Sequence, residues 1–308
     1  MPESRRRPRR RADCSATGVL VSEKRIDTFT RDGLTFDVRD TGPIDGVPVV
    51  LLHGFPQDSR SWDKVVPVLH AHGYRTLAPD QRGYSPGARP RRRRDYRGDE
   101  LVADVAALIE QAGVGPVHLV GHDWGAAVTW MTAAARPELL RTMTAVSVPH
   151  VEAFVRAMLT STQGLRSWYM FFFQLPWLPE RVLTDPRLAR RALRRTGQSE
   201  EGAARDAARM ADPRTARGAV NWYRAMVLTT PDIVRSTVHV PALQVWSDHD
   251  TAIGPRGPSL SLRFVEAPLA CVTLPGVSHW IPDEAPDALA GLIVEHLRGH
   301  DRGDSAES

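Results

Sequence analysis

Cysteine, lysine and long apolar segments are all scarce in this chain of 308 residues. The two cysteines, Cys14 and Cys271, cannot build a disulfide framework, so we expect a reducing, cytoplasmic setting. No apolar run approaches the roughly 20 residues that a membrane-spanning helix needs, and no apolar segment of a secretory signal follows the basic start. The remaining composition, 42% hydrophobic and 25% charged, is typical of a soluble globular enzyme.

Arginine carries nearly all of the positive charge, because lysine occurs only at Lys24 and Lys64. Residues 1–11 hold six arginines against one acidic residue, which accounts for the whole net charge of +4. A second arginine cluster occupies residues 89–98, in a predicted loop. Since the charge lies in a tail and a loop, we expect no nucleic-acid partner, although polyanion binding by the tail stays open beside a merely solvated tail.

Short apolar strands alternate with amphipathic helices in two parts of the chain, residues 24–149 and 236–299. This alternation predicts an α/β fold with a mostly parallel sheet and helices on both faces. Between the two parts, residues 150–235 are rich in arginine, alanine and aromatic residues and lack clear strand signals, which predicts an inserted helical subdomain. Residues 1–23 and 300–308 are predicted to be disordered tails.

Asp123 lies in the segment LVGHDWGAAV, between a predicted buried strand and a predicted helix that ends at Pro137. Gly121 and Gly125 flank it, as a sharp strand-to-helix turn requires, and such turns usually carry a serine nucleophile. A carboxylate can displace a leaving group from saturated carbon and leave an ester that water can hydrolyse, whereas serine would leave a stable ether. Asp123 therefore indicates alkyl chemistry, on an epoxide or an alkyl halide; the alternative is a structural carboxylate that caps the following helix.

Five motifs occur in a fixed order along the chain and are more specific together than any one alone. They are HGFP at 53–56, DQRGYSPG at 80–87, GHDWG at 121–125, WSDHD at 246–250 and GVSHW at 276–280. On these motifs the chain resembles the α/β-hydrolases of the epoxide hydrolase branch over about residues 25–298. The resemblance implies an eight-stranded sheet, a helical cap at 150–235, and hydrolysis of an epoxide to a vicinal diol through a covalent Asp123 ester, without a cofactor.

The resemblance also implies a catalytic triad. Asp123 is the expected nucleophile, and His279 lies between the last strand and the last helix, where this fold carries its general base. The acid partner of His279 follows the strand before, where both Asp248 and Asp250 are available. The family pattern has a small residue three positions before the acid; Ser247 fills that position and favours Asp250. The acid would orient the imidazole and stabilise its protonated form.

Two further groups of residues follow from the same resemblance. The backbone N–H groups of Phe55 and Trp124 are the predicted oxyanion hole. Tyr169, in SWYMFFFQLPW, and Tyr223, in NWYR, match the two cap tyrosines of the family and are predicted to donate hydrogen bonds to the epoxide oxygen. Plain aromatic packing is the alternative for both tyrosines.

The cap segment is rich in aromatic residues, which favours an apolar substrate. The predicted substrate-binding side chains are Trp124, Phe172, Phe173 and Trp177. Beyond a small apolar epoxide and water we expect no partner, and either a monomer or a homodimer. No metal site, phosphate loop or dinucleotide motif is predicted.

Two rival functions stay open. A haloalkane dehalogenase would share the nucleophile, the base and Trp124, whose indole N–H could bind halide, but Phe55 occupies a place where a polar side chain would help to hold the halide. A ligand-binding protein that kept the fold and lost turnover is the second rival.

Overall fold

The computed structural model describes residues 24–301, in which eight strands form one sheet in the order β1-β2-β4-β3-β5-β6-β7-β8. The strands are β1 (Thr28–Arg31), β2 (Leu34–Thr41), β3 (Val47–Leu52), β4 (Tyr74–Pro79), β5 (Val117–His122), β6 (Leu140–Val146), β7 (Ala242–Ser247) and β8 (Leu269–Leu274). The pairs β1/β2 and β2/β4 are antiparallel, and the other neighbours are parallel. The predicted mostly parallel, eight-stranded sheet is confirmed.

The antiparallel edge begins with a tight hairpin at Asp32 and Gly33. Both residues have positive φ, 50° and 74°. This backbone twist matches that of the flanking strands, and an Asp-Gly pair adopts it at little cost. Beyond the hairpin, β2 pairs with β4 in the antiparallel direction. All later strands pair with their neighbours in parallel.

Helices occupy both faces of the sheet and the whole of the long insertion. The α-helices are α1 (Val66–Ala71), α2 (Gly98–Ala112), α3 (Trp124–Ala135), α4 (Val151–Thr160), α5 (Gln163–Arg166), α6 (Trp168–Phe172), α7 (Leu178–Thr184), α8 (Pro186–Arg195), α9 (Glu200–Met210), α10 (Pro213–Ala225), α11 (Pro231–Arg235), α12 (Arg256–Ser261), α13 (Ile281–Glu284) and α14 (Pro286–Asp301). None of the helices between residues 24 and 301 combines the length and the apolar character needed to cross a bilayer.

The central strand β3 contributes side chains to two apolar cores, one on each face of the sheet. Val50 and Leu52 belong to the core formed with α2 and α3, whereas Val49 and Leu51 belong to the core formed with α1 and α14. Because successive side chains of a strand point to opposite faces, a strand covered on both sides must be apolar at every position. The sheet is thereby a rigid platform, and the loops at the carboxyl ends of its strands can carry functional residues.

The insertion between β6 and β7 contains the helices α4 to α11, and the described residues 151–235 include no strand there. Of the predicted tails, residues 1–23 and 302–308 lie outside the described residues. The predicted tail at 300–308 begins too early, because α14 continues to Asp301. Asp301 is held in place by the Tyr74 hydroxyl, 2.9 Å away, and by His118 Nε2, also at 2.9 Å.

Candidate active site

Asp123 occupies the turn between β5 and α3 with φ 53° and ψ −119°. A residue with a side chain rarely adopts positive φ, and holding it there costs on the order of 1–3 kcal/mol. The close approach of the flanking glycines makes the turn possible, since a Cβ at Gly121 would collide with the backbone of Gly125. The strained turn aims the carboxylate into a cavity beneath the insertion.

A backbone N–H group holds one oxygen of this carboxylate. The Phe55 N–H donates to Asp123 Oδ1 over 2.7 Å, and the backbone N–H of Trp124 acts to lower the pKa of the Asp123 carboxyl. Phe55 follows β3, and Trp124 begins α3, so both donors lie at the same edge of the sheet as Asp123. The Phe55 N–H can stabilise negative charge on Oδ1, and the oxyanion hole formed with Trp124 stays a prediction.

The other carboxylate oxygen faces His279. Asp123 Oδ2 lies 3.4 Å from His279 Nε2, and His279 Nδ1 lies 2.7 Å from Asp250 Oδ2. The second oxygen of Asp250 accepts the N–H groups of Ala252 and Ile253 at 2.7 and 2.8 Å. Asp250 is therefore fixed at three contacts and can hold the imidazole in a single orientation.

The alternative acid, Asp248, does not reach the histidine. It is exposed, and its Oδ1 accepts the N–H of Gly276 at 2.7 Å, within the turn before His279. The structure therefore brings Asp250 rather than Asp248 to His279.

Charge on the two carboxylates controls the protonation of His279. Burial acts to lower the pKa of His279, but the charge of Asp250 and the contact with Asp123 outweigh it and raise the pKa to about 10. Burial acts to raise the pKa of Asp123, and the hydrogen bond and charge of His279 outweigh it, so this pKa is lowered from its usual value. At neutral pH the site thus contains an imidazolium between two carboxylates.

The two cap tyrosines line the same cavity as Asp123. The ring centroids of Tyr169 and Tyr223 are 6.0 Å apart, and Tyr223 lies edge-on to the Trp124 ring, with centroids at 5.2 Å. Burial, followed by the charge of Asp123, raises the pKa of both phenols above its ordinary value. Both therefore carry their protons at neutral pH and can act as hydrogen-bond donors.

The cavity has a volume of about 180 Å³ and a mostly apolar wall. Besides Asp123 and the two tyrosines, its wall includes Leu101, Ala127, Met131, Val148, Val151, Phe154, Met170, Trp222, Met226 and Ile253. Residues of α3, of the insertion and of the loop after β7 thus enclose one apolar space around a single ionised carboxylate.

The model of the alpha/beta hydrolase fold family matches residues 47–286 of this chain. The chain belongs to this family. As an α/β-hydrolase it is 33% identical to the AB hydrolase superfamily protein YfhM of Bacillus subtilis, over 87% of this chain and 96% of YfhM. It is also 30% identical to epoxide hydrolase A of Mycobacterium tuberculosis, over 90% of this chain and 98% of that protein.

A solved structure agrees with these relatives. The crystal structure of epoxide hydrolase A from Mycobacterium thermoresistibile superimposes with a TM-score of 0.76 at 26% identity, and covers 88% of this chain and 97% of its own. The resemblance to the epoxide hydrolase branch, which the sequence motifs indicate, is therefore confirmed.

Three of the four predicted substrate-binding side chains do not line the cavity of this α/β-hydrolase. Trp177 is 63% exposed and its ring lies under the guanidinium of Arg181. Phe173 is buried behind the cavity wall, where it packs against Tyr223 with ring centroids 4.7 Å apart. Phe172 is half-buried and packs against Phe173. Only Trp124 lines the cavity as predicted.

Some cavity residues carry a periodic signal that sequence reasoning missed. Trp124, Ala127 and Met131 follow one another at three and four positions along α3, and all three line the cavity. Such spacing places side chains on one face of a helix. Once Asp123 is taken as the residue before α3, this face could have been predicted to border the site.

The insertion is also hydrogen-bonded to the loops that carry Asp250 and His279, and the sequence does not reveal these contacts. Gln163 Nε2 donates to the carbonyl of Ala252 over 2.7 Å, and Gln163 Oε1 accepts the N–H of Gly254 over 2.8 Å. On the other side, the Trp280 indole donates to Thr196 Oγ1 over 3.0 Å. The loops that carry Asp250 and His279 are therefore each hydrogen-bonded to the insertion.

His122, beside the nucleophile, is buried and does not line the cavity. Its Nε2 lies 2.9 Å from the carbonyl oxygen of His279, which also accepts the Ser147 hydroxyl at 2.9 Å. These contacts fix the backbone of His279. Among residues 24–301, no cluster of three or more His, Cys, Asp or Glu side chains could hold a metal ion.

Adding a methyl group at the elbow should destabilise the protein. A Cβ at Gly125 would collide with the backbone carbonyl of Leu52, and neither backbone segment can rotate away as a side chain would. We expect Gly125→Ala to lower the free energy of unfolding by about 1–3 kcal/mol, as measured by urea titration. Gly291→Ala is the matched control, because Gly291 is exposed on α14 with open space around it. Equal stability of the two variants would contradict the close approach.

Removing one carboxylate charge should lower the pKa of His279. In Asp123→Asn the imidazole keeps Asp250 but loses the second anion that helps to raise its pKa to about 10. The titration midpoint of His279, followed by ¹⁵N NMR of the imidazole, should therefore move to lower pH. His296 is the control, since burial first and His300 second set its pKa at about 4, without any contribution from Asp123. An unchanged midpoint for His279 would show that Asp123 does not act on it.

Proposed function

We propose that this α/β-hydrolase converts an apolar epoxide into a vicinal diol through a covalent ester at Asp123. The observation that carries the proposal is the environment of the Asp123 carboxylate. One oxygen is held by the N–H of Phe55, and the other faces His279 and the cavity. The relatives named epoxide hydrolase, similar over nearly their whole length, support the same reaction.

In the first step the substrate alkylates Asp123. Tyr169 and Tyr223 donate hydrogen bonds to the epoxide oxygen while Asp123 Oδ2 attacks a ring carbon from the opposite side. The carbon–oxygen bond of the ring breaks as the new ester bond forms, and the departing oxygen takes a proton from a phenol. All three groups line one cavity, which supports a mechanism in which they act on the same bound substrate.

In the second step water hydrolyses the ester. Esterification removes the charge of Asp123, so the pKa of His279 falls. The imidazolium then releases its proton to the solvent, which leaves the neutral form that can accept a proton from water. The resulting hydroxide attacks the ester carbonyl carbon, and the N–H groups of Phe55 and Trp124 stabilise the charge on Oδ1. The bond between this carbon and Oδ2 breaks, and Oδ2 leaves as a hydroxyl of the diol with a proton from His279. The remaining water proton restores the phenol, and His279 takes back from the solvent the proton that it released after alkylation.

The wall of the cavity selects for an apolar substrate. Apart from Asp123 and the two tyrosines, the side chains that line the cavity include Ala127, Met131 and Trp222. A substrate with a charged substituent would lose its hydration here without finding a partner. The substrate class is therefore a small epoxide with hydrocarbon substituents.

A single turnover in ¹⁸O-labelled water tests the covalent route. With enzyme in excess over styrene oxide, the heavy oxygen should appear in the peptide that contains Asp123, and the first diol formed should stay light. Heavy diol in the first turnover would mean direct attack by water and would overturn the proposal. Tight binding of the epoxide without any diol would instead indicate a ligand-binding protein.

Haloalkane dehalogenation shares the alkylation step and is the second candidate. The nucleophile, the base and Trp124 would all serve it, but the Phe55 side chain offers no hydrogen bond to a halide. Its ring contacts the rings of Phe173 and Tyr223 instead, with centroids at 5.3 and 5.4 Å. Halide release from 1-bromohexane, measured beside diol formation from an epoxide of similar size, separates the two reactions.

Removing one phenol hydroxyl should slow ring opening. We expect Tyr223→Phe to reduce the alkylation rate by roughly 10²–10⁴-fold, the usual contribution of a general acid, as measured by stopped-flow fluorescence. Tyr96→Phe is the control. Tyr96 also lines the cavity, but its hydroxyl is already bound to the carbonyl of Pro90 at 2.9 Å. Equal alkylation rates in the two variants would remove Tyr223 from the mechanism.

A further inference from the structure

The outer surface of the insertion carries a band of exposed large apolar side chains, which we term the outer cap patch. Its members are Leu165, Trp168, Phe171, Leu175, Trp177 and Leu178, which are 38–79% exposed. Scattered exposed apolar residues are normal, but a concentrated patch with two tryptophans and a phenylalanine marks an interaction surface.

The backbone explains why four of these side chains share one face. The N–H of Ser167 bonds the carbonyl of Gln163, that of Phe173 bonds Tyr169, and that of Leu175 bonds Phe172, so the chain turns helically from α5 through the end of α6. Leu165, Trp168, Phe171 and Leu175 follow at spacings of three, three and four residues. Such spacing aligns side chains along one side of a helix.

The opposite side of residues 163–173 packs against the rest of the protein. Gln163, Ser167 and Phe173 are buried, and Tyr169 and Met170 line the cavity. Most of the surface of Leu165, Trp168, Phe171 and Trp177 remains in water, so these four contribute little to this packing. Their apolar character is therefore not required by the fold of the insertion.

The subdomain that carries the patch has an excess of positive charge. Residues 150–235 contain fourteen arginines and no lysine against eight acidic residues. Arg181 covers the ring of Trp177 at 5.2 Å. On the neighbouring α8, the side chains of Arg187, Arg191 and Arg195 are exposed and form no ion pair with the described part of the chain. The insertion thus presents aromatic side chains and unpaired cations together.

This charge decides between the possible occupants of the patch. In a symmetric dimer, the same patch of each copy faces the other, so two arginine-rich surfaces would meet and repel each other. A surface with anionic groups is complementary instead. Tryptophan and phenylalanine bury their rings at the boundary between lipid headgroups and acyl chains, and arginines near an anionic leaflet are attracted to it.

We propose that the outer cap patch binds the surface of a bilayer that contains anionic lipids. The aromatic side chains enter the headgroup boundary, and the arginines of α8 face the lipid phosphates. The arginines of residues 5–11 add positive charge elsewhere in the chain, so their contribution must be separated from that of the patch. The proposal does not depend on the reaction at Asp123.

Vesicle flotation with the full chain tests the proposal. Vesicles of phosphatidylcholine with 30% phosphatidylglycerol should carry the protein upward, and vesicles of pure phosphatidylcholine should bind at least about tenfold less. The double variant Trp168→Ser/Phe171→Ser, which keeps every arginine, should bind the anionic vesicles at least about tenfold more weakly. Leu262→Ser is the control, because Leu262 is 58% exposed outside the insertion and should not matter.

Three results would overturn the proposal. Unchanged binding by the double variant would show that charge alone, such as that of residues 5–11, attracts the protein to the vesicles, and that the aromatic side chains are not needed. Equal binding to both vesicle types would show that the arginines do not bind the anionic lipid phosphates. A dimer of the wild type that is lost in the double variant, with no vesicle binding, would make a second copy the occupant. Circular dichroism must match in all proteins, and the assay contains no epoxide, so its result is independent of the proposed reaction.

Discussion

Replacing Asp123 with asparagine should abolish epoxide turnover. The amide has nearly the same shape as the carboxylate, so the Phe55 N–H can still bond its oxygen, but it cannot attack saturated carbon. Loss of a catalytic nucleophile lowers the rate by about 10⁴-fold or more. Diol formation, measured by gas chromatography, is the readout, and mass spectrometry must show that the asparagine has not deamidated.

Asp248→Asn is the matched control for this variant. Asp248 is an exposed carboxylate that bonds the N–H of Gly276 and does not contact His279. The same chemical change should therefore leave turnover nearly intact there. Full activity of the intact Asp123→Asn protein would show that Asp123 is a structural cap of α3, and the covalent route would have to be abandoned.

Replacing His279 with glutamine should stop the reaction after its first step. Without the imidazole, burial raises the pKa of Asp123, so the alkylation is measured at a pH at which this carboxylate is ionised. The Phe55 N–H still holds one of its oxygens. Water then lacks its base, and the ester accumulates. After incubation with styrene oxide, mass spectrometry should find the peptide of Asp123 heavier by one substrate, while diol formation falls by roughly 10²–10⁴-fold.

The control for the second variant is His72→Gln, a change at an exposed histidine whose Nδ1 contacts the carbonyl of Val68. It should show normal turnover and no adduct. If His279→Gln forms diol slowly and yet never carries an adduct, then His279 takes part before or during alkylation. That result would contradict its assignment as the base of ester hydrolysis alone.

The triad could be predicted because each member follows a strand of a parallel sheet. Asp123 follows β5, Asp250 follows β7 and His279 follows β8. The carboxyl ends of parallel strands meet at one edge, so three residues far apart in sequence come within hydrogen-bond reach. The strands themselves were readable as short apolar runs, since burial on both faces leaves no room for polar alternation.

The aromatic residues of the insertion could not be placed in the same way. Residues 163–178 carry apolar side chains on both faces of their helical turns, so hydrophobic periodicity does not tell the inner face from the outer. Phe173 packs inward, whereas Trp168 and Trp177 point outward. The prediction that Phe172, Phe173 and Trp177 line the cavity is therefore wrong. The order of apolar residues along this segment is compatible with either face of the helical turns pointing inward.

The sequence by itself determined the order of strands and helices, the acidic residue at the elbow and the pair of candidate acids after β7. These are local properties, since turn geometry, strand burial and the chemistry of a side chain are all encoded within a few residues. Only the tertiary structure decided that Asp250 rather than Asp248 meets His279, that α3 supplies one wall of the cavity, and that the outer cap patch faces water. Those outcomes depend on distances between segments that are remote in the chain, and no local pattern records them.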